Sequence, residues 1–209
     1  MPNTLTPAEQ VSFVQSLLRT QSMLQWQTEL DAFCAFMVDN RVRSFLEIGA
    51  ATGRLSLYFK DVLQLEKVAA CDIWHSPLLK AAHVEFFHGD HHDPAYPEWR
   101  ARLGHVDMVF IDADHETGFR RDYEIERAFP HSFIAFHDIA NKAYPALARF
   151  WESEVTGDKR TFVNTDTSLR FGVPPVAFPF ATWQTFDDLV ADCGYACGIG
   201  VVKPAPSSD

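Results

Sequence analysis

The chain has 209 residues, of which 47% are hydrophobic and 22% are charged, and this suits one domain with a full-sized core. Its formal net charge of −10 argues against a partner held by phosphate contacts, because nucleic-acid binders usually carry a basic patch. No apolar run approaches the roughly 18–20 residues that cross a bilayer, and the start "MPNTLTPAEQ" lacks the basic and apolar parts of a signal peptide.

Apolar periodicity divides most of the chain into alternating helices and strands. Residues 7–39 predict one or two amphipathic helices. Short apolar runs then predict strands at residues 44–48, 67–71, 84–87, 106–111 and 132–136. Helices are predicted at residues 53–65, 118–129 and 142–154, and two more begin at Ser76-Pro77 and Asp93-Pro94, where a capping residue precedes proline. This alternation predicts an α/β fold, with a parallel sheet and helices on both faces.

The pattern changes after Val155. A strand is predicted at residues 160–164, a helix at 185–192 and a closing strand at 196–202, so that an antiparallel pair would finish the sheet. The segment 171–183 carries aromatic residues among three prolines in a predicted loop. Core packing explains these aromatic residues if they are buried, and a lid or a homodimer contact explains them if they are exposed.

The four cysteines are scattered among apolar neighbours: Cys34, Cys71, Cys193 and Cys197. The last two are close in sequence, but no second pair joins them in a zinc-binding pattern. We interpret all four as reduced thiols with a structural role, which favours a cytoplasmic protein. We expect neither a nucleic-acid nor a membrane partner.

The stretch "FLEIGAATGRLSLYF" reads as a strand, a tight turn and a helix. Glycine at positions 49 and 53 lets a ligand approach the backbone where the helix begins. A dinucleotide fingerprint needs G-x-G-x-x-G, but its second and third glycine positions hold Ala51 and Arg54. No nucleoside-triphosphate P-loop is present either. What remains is E-x-G-x-x-x-G, with Glu47 inside the strand.

This motif resembles the first motif of the class I S-adenosylmethionine (SAM) methyltransferases, which usually have another glycine where Ala51 stands. The resemblance implies a Rossmann-like, doubly wound, mostly parallel seven-stranded sheet with an antiparallel last strand. It also implies that Asp72 accepts hydrogen bonds from the ribose, that Ile73 flanks the adenine, and that Asp112 lies near the methionine end. The SAM-binding residues it implies are Glu47, Gly49, Ala50, Ala51, Gly53, Asp72, Ile73, Gly89, Asp90 and Asp112.

Acidic residues and histidines also follow the fourth and fifth predicted strands. Neighbouring parallel strands lie about 4.8 Å apart, so Asp112 and Asp138, with His137 or waters, would suit Mg²⁺ or another hard divalent ion. The pattern "FIDADH…FHDI" resembles the small-molecule and sugar O-methyltransferases related to the catechol type. That resemblance implies Asp112 and Asp138 as metal ligands and His115 as general base. Several relatives have Asp or Glu where His137 stands, so His137 is a ligand, a second base or a packing residue of a metal-free enzyme.

Two other charged stretches are interpreted without a functional role. The cluster "HGDHHD", with His88, His91 and His92, reads as solvent-exposed loop histidines rather than as a metal site. The acidic and basic residues between Glu116 and Asp122 read as the charged first turn of a helix.

The leading hypothesis is a SAM-dependent O-methyltransferase that uses a divalent metal and acts on a small molecule such as a sugar, a phenol or a natural-product intermediate. Residues 1–40 would form helices on the substrate side, and residues 41–209 the SAM-binding domain, with 157–185 as a lid or dimer segment. One alternative keeps SAM but uses His115 or His137 as base without a metal. A SAM-binding protein without turnover is another, and a nicotinamide dehydrogenase is disfavoured by the missing glycines.

Overall fold

Helices and strands alternate along this computed structural model, which describes residues 25–165, 194 and 196–204. The strands are β1 (Ser44–Ile48), β2 (Lys67–Asp72), β3 (Glu85–His88), β4 (Val106–Ile111), β5 (His131–Phe136), β6 (Asp158–Phe162) and β7 (Ile199–Lys203). The helices are α1 (Gln27–Asp39), α2 (Arg54–Val62), α3 (Pro77–Ala81), α4 (Tyr96–Arg102), α5 (Phe119–Arg127) and α6 (Pro145–Ser153).

The strands form one seven-stranded sheet in the order β3-β2-β1-β4-β5-β7-β6. The first five in the chain pair in parallel, and β7 is antiparallel to both β5 and β6. This confirms the predicted Rossmann-like fold with an antiparallel last strand. The register aligns Ile48 with Cys71 and with Ile111, and Ile111 with Phe136. The residues that follow these four therefore meet at one edge of the sheet, where ligands of open α/β sheets bind.

The core lies on both faces of the sheet because successive strand side chains point to opposite sides. In β1, Phe45 joins the cluster packed by α1 and α2, whereas Leu46 and Ile48 join the cluster packed by α4, α5 and α6. Every residue of β1 is buried, as expected of a central strand covered on both faces.

Helix α1 is attached to the sheet by a buried acid as well as by apolar packing. Phe33 contacts Phe110 with ring centroids 5.5 Å apart. On the same helix, the carboxylate of Glu29 accepts hydrogen bonds from the backbone N–H groups of Asn164 (2.7 Å) and Gly198 (2.9 Å). This carboxylate therefore joins α1 to the ends of the antiparallel pair.

Element boundaries differ from the predictions where local hydrogen bonds delay a helix or where a strand is polar. Helix α4 begins at Tyr96, because the side chain of Asp93 instead accepts a hydrogen bond from Ala95 N in a preceding turn. Strand β6 begins at Asp158, two residues before the predicted start, and its exposed polar residues gave no apolar signal. By contrast, Ser76 accepts a hydrogen bond from Leu79 N and caps α3 as predicted.

Several predictions lie outside the described residues: the helix at 185–192, the aromatic segment 171–183, Cys193 and the part of the N-terminal helices before residue 25. The other cysteines, Cys34, Cys71 and Cys197, are buried. Within the described ranges, no helix is both long enough and apolar enough to cross a membrane.

Candidate active site

A cavity of about 290 Å³ opens at the carboxyl ends of β1, β4 and β5. Its walls come from the turn between β1 and α2 and from the segments that follow β4 and β5. The predicted site residues that line it are Glu47, Gly49, Ala50, Ala51, Asp112, His115, His137 and Asp138. The structure therefore brings the predicted cofactor turn, base and metal ligands together in one place.

The remaining predicted residues lie outside the lining of this cavity: Gly53, Asp72, Ile73, Gly89 and Asp90. Four of them belong to the ends of β2 and β3, which lie beside β1 in the sheet. Gly89 N donates to the carbonyl oxygen of Asp72 (2.9 Å), which brings the two strand ends together. Ile73 is 61% exposed, so its side chain is accessible to a ligand on this side of the turn.

The carboxylate of Asp72 joins the two turns at this edge. One oxygen accepts a hydrogen bond from Ala51 N (2.6 Å), and the other from Trp74 N (2.7 Å). An ionised carboxylate has about four lone-pair sites, so two backbone donors leave acceptor capacity for ribose hydroxyls. Asp72 thus also holds Ala51 at its positive φ of 46°.

Glycine at position 49 is required by the protein's own backbone. Gly49 has a φ of +88°, and a Cβ placed on it would lie 2.2 Å from the carbonyl oxygen of Asp112. The end of β4 therefore passes directly over this turn, and Asp112 N donates to Ile48 O (2.8 Å). The sequence predicts this glycine for ligand approach only and gives no sign of this packing role.

Glu47 is a buried acid in the wall of the cavity. Its side chain is 2% exposed and accepts a hydrogen bond from the hydroxyl of Ser56. Burial raises the pKa of Glu47 to about 8, and the negative charge of Asp112 raises it further, although the Ser56 hydrogen bond opposes the change. A cationic group placed beside Glu47 would favour its ionised form and lower this pKa.

The Asp–His cluster consists of Asp112, His115, His137 and Asp138, whose ligand atoms lie within 4.8 Å of one another. Asp112 Oδ1 is 3.1 Å from His115 Nε2 and 3.0 Å from His137 Nδ1. Asp138 Oδ2 is 3.3 Å from the same His115 nitrogen and 3.2 Å from the same His137 nitrogen. His115 Nε2 and His137 Nδ1 therefore each lie between the carboxylates of Asp112 and Asp138.

Electrostatics within the cluster raise the pKa values of the two imidazoles and lower those of the two carboxyl groups. Burial alone would lower the pKa of His137, but the charges of Asp112 and Asp138 raise it well above its usual value. The same balance raises the pKa of His115. Burial opposes ionisation of Asp138, yet the charge of His137 outweighs it and lowers the pKa of that carboxyl.

Residues that the sequence argument did not select support the cluster. Asn141 donates from Nδ2 to Asp138 Oδ1 (2.7 Å), and Asp138 itself has a φ of 63°. The ring of Tyr144 stacks on His115 with centroids 4.8 Å apart and an interplanar angle of 21°. Both follow β5 within a few positions of Asp138, and that proximity was the only signal in the sequence.

Asp114 shapes the loop that carries His115. Its Oδ1 accepts hydrogen bonds from Glu116 N (2.9 Å) and Thr117 N (3.1 Å), and the Thr117 hydroxyl donates to its Oδ2. The Thr117 hydrogen bond lowers the pKa of Asp114 to about 2. The acid next to the candidate base is therefore part of the turn that positions it.

Comparison with known proteins agrees with this arrangement. A family model described as a methyltransferase domain matches residues 46–139, the stretch from β1 to just beyond Asp138. Residues 46–139 are thus similar to a methyltransferase domain. This similarity agrees with the resemblance that the first glycine turn carries. No curated protein sequence matches the chain.

Solved structures share the fold of this chain at low identity. MycE, a methyltransferase from the mycinamycin biosynthetic pathway in complex with Mg, SAH and mycinamycin VI, is 19% identical with a TM-score of 0.51. That match covers 66% of this chain and 41% of MycE, so the chain spans about two fifths of that protein's length. An O-methyltransferase from Bacillus cereus in complex with SAH is 14% identical, with a TM-score of 0.54 and coverage of 98% and 93%.

The residues at this edge fit SAM, the cofactor that the resemblance implies. SAM carries a sulfonium and an ammonium group, and the cavity is lined by two acids, Glu47 and Asp112, as well as by Arg54. The turn from Gly49 to Ala51 leaves backbone at the cavity wall. Cationic and polar parts of SAM therefore match the charge and shape of this edge.

The Asp–His cluster also fits a divalent metal ion, since it offers two carboxylates and two imidazoles within ligand distance of one point. Carboxylate oxygens suit Mg²⁺ and Mn²⁺, and imidazoles suit later transition metals. His137 Nε2 is buried and has no hydrogen-bond partner among the described residues. His137 thus uses only its Nδ1 edge toward the cluster.

Proposed function

We propose that the chain is a SAM-dependent O-methyltransferase that acts on a hydroxyl group of a small molecule, such as a sugar, a phenol or a natural-product intermediate. The observation that carries the proposal is that the Asp–His cluster and the cofactor turn line the same cavity. This supports a candidate base and a candidate cation site next to the place where the methyl donor would bind.

The chain's own residues divide the binding of SAM between two areas. Glu47 and Asp112 lie in the cavity and would hold the charged methionine part. Asp72 and Ile73 would hold the ribose and flank the adenine, with the Gly89-Asp90 turn at the adenine edge. SAM supplies an activated methyl group on a sulfonium, so the protein must align the acceptor oxygen, remove its proton and exclude water.

His115 is the proposed general base. It lines the cavity with its side chain 16% exposed, and its Nε2 lies at the centre of the Asp–His cluster. Asp112 Oδ1 lies 3.1 Å from that nitrogen, and stacking on the Tyr144 ring fixes the plane of the imidazole. An oriented imidazole beside a carboxylate is well suited to take a proton from a hydroxyl group.

A divalent ion, with Mg²⁺ as the first candidate, is proposed at Asp112, Asp138 and His137. Support comes from the fit of the donor set and from MycE, whose structure with this fold contains Mg. Such an ion would orient a diol-like acceptor and lower the pKa of one hydroxyl.

The second candidate is a SAM methyltransferase that needs no metal and uses His115 or His137 as base. The observation that favours it is that both imidazoles already lie 3.0–3.3 Å from the carboxylates of the cluster. Protonation of one histidine would offset the charge of those carboxylates without an ion and leave the other histidine neutral as the base.

We further propose that the N-terminal residues 1–40 form the substrate side of the domain in a cytoplasmic homodimer. Within the segment 157–185, residues 158–162 are strand β6 of the sheet; we propose the part after β6, most of which lies outside the described residues, as the lid or dimer segment. Support for the first part is that Gln25, just before α1, lines the cavity. The partner is a small-molecule acceptor, with no nucleic acid and no membrane involved.

The proposal is tested with labelled SAM and a panel of catechols and sugars, assayed with Mg²⁺ and with excess EDTA. Methyl transfer that EDTA abolishes supports the metal-dependent enzyme, and transfer that survives EDTA and Asp138→Asn supports the metal-free one. SAH binding is measured in parallel by calorimetry, with the exposed His105→Gln variant as control. Absence of SAH binding would refute the proposal, and tight SAH binding without product on a broad panel would favour a SAM-binding protein without turnover.

A further inference from the structure

A second group of metal-ligating side chains lies outside the cavity, where the loop after β3 meets α5. It consists of His91, His92 and Asp122, whose ligand atoms lie within 4.8 Å of one another; we name it the loop–helix cluster. His91 is 6% exposed and Asp122 is 2% exposed. The expectation that His91 lies in solvent is therefore wrong. Asp122 lies in the first turn of α5 as expected, but its side chain is buried.

We propose that the loop–helix cluster binds a divalent transition-metal ion of the Zn²⁺ class. Asp122 Oδ1 is 3.1 Å from His91 Nδ1 and 2.7 Å from His92 Nε2. Donors about 2.0–2.1 Å from a tetrahedral zinc ion lie about 3.3 Å apart. Small side-chain shifts bring the three ligand atoms to that separation.

An unpartnered buried oxygen is a second, independent observation in favour of a cation site. Asp122 Oδ2 is buried and has no hydrogen-bond partner among the described residues, and the side chain as a whole is 3% exposed. A buried carboxylate oxygen without a partner is unfavourable. A metal ion bound by both carboxylate oxygens of Asp122 would satisfy it.

The Nε2 atom of His91 has the kind of carboxylate partner that metal-binding histidines usually have. His91 Nε2 lies 3.0 Å from Glu126 Oε1. Glu126 is itself held by the hydroxyl of Tyr96 (2.6 Å) and by Arg100 Nε (2.8 Å). A histidine whose Nε2–H donates to a fixed carboxylate presents its Nδ1 lone pair to a metal ion.

The donor set and the access route define the class of ion. Two imidazoles and one carboxylate favour Zn²⁺, Co²⁺ or Ni²⁺ over Mg²⁺. The side chain of His92 is 25% exposed, so an ion can enter beside it and a water can take the fourth position. The ion would fasten the loop that carries Gly89 and Asp90 to α5, beside the proposed adenine site. The inference stands whether or not the proposed reaction occurs, since it concerns metal binding alone.

The test uses the full chain in the Asp138→Asn background, which weakens metal binding at the Asp–His cluster. Bound zinc is measured by mass spectrometry after dialysis against Zn²⁺, and Co²⁺ is added to read ligand-field absorption. We expect one equivalent of zinc more in this background than after the further change His92→Gln, and at least a tenfold weaker affinity for that variant. His105→Gln is the matched control, because His105 is exposed and faces Asp107 at 3.3 Å without a second histidine.

Equal zinc content with and without His92→Gln would overturn the proposal, as would a cobalt spectrum that this change leaves unaltered. In that case the two histidines are held to Asp122 by hydrogen bonds alone. Because His92 is on a partly exposed loop, the variant should unfold at the same temperature as its parent without zinc. Zinc should raise the unfolding temperature of the parent only.

Discussion

Replacing Glu47 with glutamine tests whether this buried acid is protonated in the cofactor-free protein. Glutamine has nearly the same shape and can still accept the Ser56 hydroxyl hydrogen bond, but it cannot ionise. We therefore expect Glu47→Gln to remove one component of the pH dependence of stability while leaving the fold intact.

The magnitude follows from the pKa of Glu47, which burial raises from 4.5 to about 8. An acid with a raised folded-state pKa stabilises the fold fully below its unfolded pKa, and this contribution is lost as pH rises toward the folded value. The slope is at most about 1.36 kcal/mol per pH unit. Between pH 5 and pH 8 the variant should gain up to about 4 kcal/mol of unfolding free energy relative to the wild type.

The assay is urea unfolding of the cofactor-free protein at several pH values between 5 and 8. Glu85→Gln is the matched control, because Glu85 is an exposed acid on edge strand β3, and this variant should follow the wild-type pH dependence. If the difference between Glu47→Gln and wild type stayed constant within about 0.5 kcal/mol, Glu47 would not titrate in this range, and the argument from burial would be refuted.

Other predictions concern the turn, the cofactor and the base. Gly49→Ala should cost more than about 3 kcal/mol, since it adds a clash with Asp112 O at 2.2 Å to the roughly 1–2 kcal/mol of left-handed strain; Gly104→Ala, with a φ of +62° and nothing within 4 Å, should cost only the strain, and equal losses in chemical denaturation would contradict this contrast. Asp72→Ala should weaken SAH binding at least about tenfold in calorimetry, because hydrogen bonds to a charged group contribute about 1.5–3 kcal/mol; an unchanged affinity would remove Asp72 from the cofactor site. His115→Ala should keep SAH affinity and lower kcat about 10²- to 10⁴-fold, and full turnover with a true substrate would show that another group is the base.

The sequence predicted the candidate site well where it depended on the ends of strands. Parallel pairing fixes those ends at one edge, so the apolar runs before Asp112 and Asp138 were enough to bring the two acids together. Contacts between distant segments had no such signal. The loop histidine His91 and helical Asp122 are 31 positions apart, and only the packing of α5 against the sheet buries both. The close approach of Asp112 O to Gly49 likewise depends on a backbone path that no side-chain pattern reports.

The Asp–His cluster and the loop–helix cluster both bring carboxylates close to imidazoles, but their surroundings differ. In each, a buried carboxylate faces two imidazole nitrogens, and either a proton or a metal ion can occupy the space between them. The two clusters differ at the Nε2 atom of one histidine. His91 Nε2 lies 3.0 Å from Glu126 Oε1, whereas His137 Nε2 has no partner among the described residues. Since a metal-binding histidine usually donates its other N–H, the loop–helix cluster matches a permanent metal site more closely. The Asp–His cluster instead lines the cavity, where the proposed methyl transfer would need the proton and the acceptor to exchange.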